Sequence, residues 1–98
     1  MPRYVVIFKD TPDMLTIRAD KSKRAAHVTY VKEHPELLIG GGLKPDVDQE
    51  SCGALWVVEA ARADVIALIE NDPFYVPEYR DYKIYAWGKI LEDQMAVL

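Results

Sequence analysis

Two short stretches far apart in this chain hold the residue types that proton transfer requires. Arg24-Ala25-Ala26-His27 lies near the start of one helix-like segment, and Asp72-Pro73-Phe74-Tyr75 closes a second. An imidazole can accept and return a proton near neutral pH, a carboxylate can orient it, and a guanidinium can hold an oxyanion through paired donors. On a helix, positions three and four apart are neighbours, so Arg24, His27 and Tyr30 are expected to project together as a small polar patch. Phe74 and Tyr75, with Trp87, are expected to supply flat apolar walls. Plainer readings use the same residues: His27 hydrogen-bonding a helix neighbour, and Asp72 capping a turn, as aspartate before proline often does.

The elements that must position these groups can be read from periodicity. Arg3 to Lys9 alternates around Tyr4, Val6 and Phe8 and is rich in β-branched and aromatic residues, which predicts a first strand, broken at Asp10-Thr11-Pro12-Asp13. Residues 13 to 19 read as an irregular turn. Asp20 or Ser22 can cap a helix running to about His34, with Pro35 just beyond its end. Leu37 to Leu43 is an apolar run containing Gly40-Gly41-Gly42 and reads as a bulged second strand; the polar segment 44 to 51 has the character of a hairpin loop. Ala54 to Glu59 alternates as a third strand, Ala61 to Asn71 is a second helix carrying Val65, Leu68 and Ile69 on one face, and Tyr82 to Leu91 alternates as a fourth strand.

Strand, helix, strand, strand, helix, strand is the split βαβ order, an α+β fold in which two helices cover one face of a four-stranded antiparallel sheet. Every strand carries apolar residues on both sides, so the second face needs a cover. A second copy of the same sheet is the simplest one, which predicts a homodimer.

Composition narrows the partners. At 98 residues the chain is expected to form one domain over 1–98; half its residues are hydrophobic and 29% charged, the balance of a folded soluble protein. Twelve Lys and Arg stand against sixteen Asp and Glu, a net charge of −4, which argues against nucleic acid as a partner. Lys21, Lys23 and Arg24 read as a solvated helix start. The apolar run Val5 to Phe8 is far too short for a signal segment or a membrane span, so a cytoplasmic protein without membrane association is expected.

Cys52 is the only cysteine, which excludes an intrachain disulfide, and its place at the start of an alternating run suggests a packed strand thiol. His34 lies seven residues after His27, roughly 10.5 Å along an ideal helix, too far for both to hold one metal ion. No metal site is expected. His34 suits a helix C-terminus as a cation. The triple glycine is not followed by Lys-Ser or Lys-Thr and opens no helix, so it is no phosphate loop, and nothing reads as a cofactor fingerprint.

Taken together, Arg24-Ala25-Ala26-His27, Gly40-Gly41-Gly42-Leu43 and Asp72-Pro73-Phe74-Tyr75 resemble the YciI-like (YCII-related) family, over nearly the whole chain. The resemblance implies the ferredoxin-like fold in its dimeric α/β-barrel form, in agreement with the element order above. It implies that His27 and Asp72 line a pocket as the catalytic pair. Arg24 matches the arginine three residues before the histidine, and Arg18 corresponds, at a longer spacing, to a further upstream arginine. The best-defined activity in that family removes HCl from a chlorinated hydroxyhydroquinone, and the related muconolactone isomerase also moves protons on small rings.

Two classes of function follow. One is a cofactor-independent lyase or isomerase on a small oxygenated ring, with His27 and Asp72 as catalytic pair and Arg24, Arg18, Tyr30, Phe74 and Tyr75 around the substrate. The other is a non-catalytic small-ligand-binding or accessory dimer built from the same residues.

Overall fold

Alternating side chains set the first strand, and its neighbours follow from the same pattern. The computed structural model describes residues 1–88. In chain order they form β1 (Arg3–Asp10), α1 (Met14–Ala19), α2 (Lys21–Glu33), β2 (Leu37–Leu43), β3 (Gly53–Glu59), α3 (Arg62–Glu70) and β4 (Arg80–Ala86). The four strands make one sheet in the order β2-β3-β1-β4, with every neighbouring pair antiparallel. This is the expected α+β, ferredoxin-like arrangement. The last part of the fourth strand expected from sequence, residues 89 to 91, lies outside the described residues.

Strand parity decides what is buried. Val6 sits opposite Trp56 and Ile84, and Phe8 opposite Ala54 and Tyr82. These side chains meet Val65, Leu68 and Ile69 of α3 to form the core, with the Phe8 and Trp56 rings edge to face at 4.9 Å. The other parity, Val5, Ile7 and Leu55, lies on the opposite face, where Ile39, Leu43 and Tyr85 are exposed.

Asp20 is extended at φ −71° and ψ 114°, which stops α1 and starts α2, and its side chain accepts from the Lys23 N–H at 3.0 Å. One of the orphan donors at the helix start is thereby satisfied. The irregular turn expected over residues 13 to 19 is instead the helix α1. Its β-branched Thr16 and Ile17 have modest helix propensity, and tertiary anchors override it. Met14 is 1% exposed, and the Arg18 guanidinium donates to the Gly53 carbonyl at 3.0 Å.

The second strand carries the expected irregularity. Its register shift falls between Leu37 and Ile39, ahead of the glycines, and no glycine has a positive φ. Gly40 serves close approach: a Cβ there would lie 3.1 Å from both Leu37 Cδ2 and Trp56 Cδ1. Cys52 is exposed just before β3, not packed in a strand; its N–H donates to the Leu43 carbonyl at 2.9 Å, and its thiol lies 3.6 Å from the same oxygen.

Candidate active site

No residue of α2 is fully buried, because a cavity lies between this helix and the sheet. Its volume is about 290 Å³, near the lower end for ligand pockets. Val28, Val31 and Lys32 of α2 line one side, and Leu37, Gly40, Gly41 and Gly42 of β2 with Ala54 and Trp56 of β3 line the other. Three successive residues without side chains leave the space that larger residues would fill.

His27 borders this cavity and meets Asp72 from the turn after α3. Nδ1 of His27 lies 2.7 Å from Oδ1 of Asp72, and the two side chains are 21% and 2% exposed. Asp72 Oδ1 also accepts from the Phe74 N–H at 3.1 Å, which closes the Asp-Pro-Phe turn. The carboxylate therefore caps a turn and holds the imidazole at the same time. A carboxylate accepting at Nδ1 fixes the proton on that nitrogen and leaves Nε2 with its lone pair for the cavity. Phe74 stacks on the imidazole, with ring centroids 4.2 Å apart and planes 10° from parallel, so ring rotation is blocked on one face.

The other expected site residues divide. Arg18 and Phe74 line the cavity, and the Arg18 guanidinium lies 5.9 Å from the Phe74 ring centre. Arg24, Tyr30 and Tyr75 are not among its lining residues. Arg24 is exposed; three residues along a helix is a rotation about 60° short of a full turn, and here it carries the side chain toward solvent. The expected patch of Arg24, His27 and Tyr30 is therefore not formed. Tyr30 turns away and donates its hydroxyl to the Leu68 carbonyl at 2.8 Å, tying α2 to α3. Tyr75 packs edge to face on Tyr82 at 6.0 Å, and Trp87 is 40% exposed outside the cavity wall. His34 pairs with Glu36 at 2.9 Å, and among the described residues no cluster of three or more His, Cys, Asp or Glu could hold a metal ion.

Sequence reasoning missed Arg80 and Asp10. Arg80 lines the cavity, and its Nε and Nη2 donate to Asp10 Oδ1 and Oδ2 at 2.7 and 2.9 Å, a bidentate pair with side chains 2% and 1% exposed. Arg18 reaches the same carboxylate at 3.5 Å, and Arg18 Nε is a buried donor without a partner among the described residues. Burial first, then the like charge of Arg80, pushes the Arg18 guanidinium below its ordinary value, while Asp10 acts in the opposite direction. The available signal was register. Asp10 and Arg80 are cross-strand partners, which becomes legible only if β1 is carried one residue past Lys9 and the last strand is begun two residues before Tyr82.

The sheet order and the helix-covered cavity define a ferredoxin-like α+β protein with a site between helix and sheet. A family model, the YCII-related domain, matches residues 2–88, and the chain belongs to that family. Among solved structures it is similar to 5-chloro-2-hydroxyhydroquinone dehydrochlorinase from Burkholderia phenoliruptrix, in complex with 2,5-dihydroxybenzoquinone. The TM-score is 0.73 and the identity 22%, over 88% of this chain and 93% of that one. No curated protein matches the chain by sequence.

Proposed function

We propose that this protein is an acid/base enzyme acting on a small oxygenated ring compound, with His27 as the proton acceptor and Asp72 as its partner. The observation that carries this reading is the 2.7 Å contact between the two at the wall of a ligand-sized cavity. With Nδ1 engaged, Nε2 takes the proton of a ring hydroxyl, and the buried carboxylate offsets the positive charge that the imidazole gains. Arg18, which lines the cavity, offsets the charge of the phenolate as it forms. On a ring that carries chlorine, departure of chloride completes the net loss of HCl; on a ring lactone, removal of a carbon-bound proton by Nε2 and its return to another ring carbon is an isomerisation.

The fold relative, a dehydrochlorinase of a chlorinated hydroxyhydroquinone, supports this substrate class. We assign the exposed sheet face of Ile39, Leu43 and Tyr85 to a second copy of the chain, as a homodimer in the cytoplasm. The alternative, a small-ligand-binding dimer without catalysis, separates from the enzyme in one experiment. The protein and its His27→Ala variant are incubated anaerobically with chlorinated hydroxyhydroquinones and with ring lactones while ultraviolet absorbance is followed. The enzyme reading predicts a spectral change with at least one of them that the folded variant does not give. Tight binding with no change by either protein would favour the binding dimer.

A further inference from the structure

The cavity wall is basic, although the whole chain is acidic. Arg18, Lys32, Arg80 and His27 border it, and among the described residues no Asp or Glu does. The two nearest carboxylates stand behind this wall, Asp72 on His27 and Asp10 on Arg80. Asp10 serves two guanidinium groups. It holds Arg80 through both oxygens at 2.7 and 2.9 Å and Arg18 only at 3.5 Å, and Asp72, the other carboxylate whose charge acts on Arg18, is engaged by His27.

Arginine stays charged under all ordinary conditions, and a guanidinium drawn partly out of water with only a long ion pair gains from an anion that meets it directly. A neutral hydroquinone would supply that charge only in passing, as its phenolate forms. A ligand that is already ionised would supply it from the moment of binding. The Arg18 hydrogen bonds are made by Nη2, at 3.0 Å to the Gly53 carbonyl and 3.5 Å to Asp10, which leaves Nη1 for such a group. A Cβ at Gly42 would come within 3.4 Å of Arg18 Nη1, so glycine there keeps the approach to this guanidinium open.

We propose that Arg80, held by Asp10, and Arg18 form a two-arginine subsite that binds a carboxylate on the ring substrate, so that the natural substrate is a hydroxylated ring acid. This rests on the reading of the cavity as a site for ring compounds. Asp10 is the positioning residue: it fixes the Arg80 fork while keeping out of the cavity itself.

The test is calorimetric binding of two ligands that share a ring, 2,5-dihydroxybenzoate and the uncharged 2,5-dihydroxybenzyl alcohol, to the intact protein at neutral pH. The acid is expected to bind about tenfold or more tightly than the alcohol, as a charge-assisted contact should give. Arg80→Met is expected to remove most of that preference, weakening the acid about tenfold more than the alcohol. The double variant Asp10→Asn with Arg80→Met removes both buried charges together and answers the same question if the single variant does not fold. An acid that binds wild-type protein no better than the alcohol, or a preference that persists in these variants, overturns the subsite. If the alcohol binds while the acid gains nothing, the ring pocket stands and only the subsite falls. If neither binds, both fall.

Discussion

His27 and Asp72 are separated by 45 positions, yet Nδ1 of one lies 2.7 Å from Oδ1 of the other, with the Phe74 ring stacked on the imidazole. The contact couples the middle of α2 to the turn after α3, so it depends on the packing of two helices and not on any local motif. Asn at position 72 keeps an oxygen for the Phe74 N–H and loses the charge that offsets an imidazolium. Asp72→Asn is therefore expected to lower turnover about 100-fold while the protein stays folded, by circular dichroism. Unchanged turnover would remove Asp72 from the reaction.

Asp10 and Arg80 make the opposite case, in which removing one partner strands a buried charge. Asp10→Ala leaves the Arg80 guanidinium without its bidentate acceptor and sets it closer to Arg18 electrostatically. Chemical denaturation should show a loss of about 3–5 kcal/mol, larger than that of Asp72→Asn.

The glycines of β2 should respond unequally. An added methyl at Gly40 meets Leu37 and the rigid Trp56 ring at 3.1 Å, whereas at Gly41 it meets nothing within 4 Å. Gly40→Ala is expected to cost about 1–3 kcal/mol and to weaken ligand binding by pushing Trp56 into the cavity. Gly41→Ala should be stable as a single chain. At Gly53 the methyl would run into the Phe8 carbonyl oxygen, so Gly53→Ala should fail to give folded protein.

Tyr30 links stability to alkaline pH. Burial, followed by the negative charges of Asp72 and Glu36, raises its phenol above the ordinary value of 10.0, and the hydroxyl donates to the Leu68 carbonyl. A group whose value is raised on folding stabilises fully below its unfolded value and loses that contribution as pH rises through the folded one. Stability should therefore decline above about pH 10 by this route. Tyr30→Phe should lose about 1 kcal/mol at neutral pH and show a shallower alkaline decline in thermal melts, Tyr75, also raised by burial, accounting for part of what is left.

Local chemistry made much of this architecture legible. Asp20 before an apolar-periodic run announces the start of α2, Pro35 follows its end, and period-two alternation marks β1 and β3. The meeting of His27 with Asp72 is a long-range event, and it entered through the family resemblance. What stayed hidden depends on rotation and register. Arg24 is close to His27 in sequence but turns to solvent, and α1 forms because Met14 and Arg18 are anchored by groups elsewhere in the fold. The pairing of Asp10 with Arg80 becomes visible only when the ends of β1 and β4 are aligned.

The most direct test of the proposed chemistry is chloride release from a chlorinated hydroxyhydroquinone, measured anaerobically for the wild-type protein, His27→Ala and Asp72→Asn in parallel. The account predicts release by the wild type, a loss of about 1,000- to 10,000-fold in His27→Ala and of about 100-fold in Asp72→Asn. Release by a folded His27→Ala variant at the wild-type rate would contradict it.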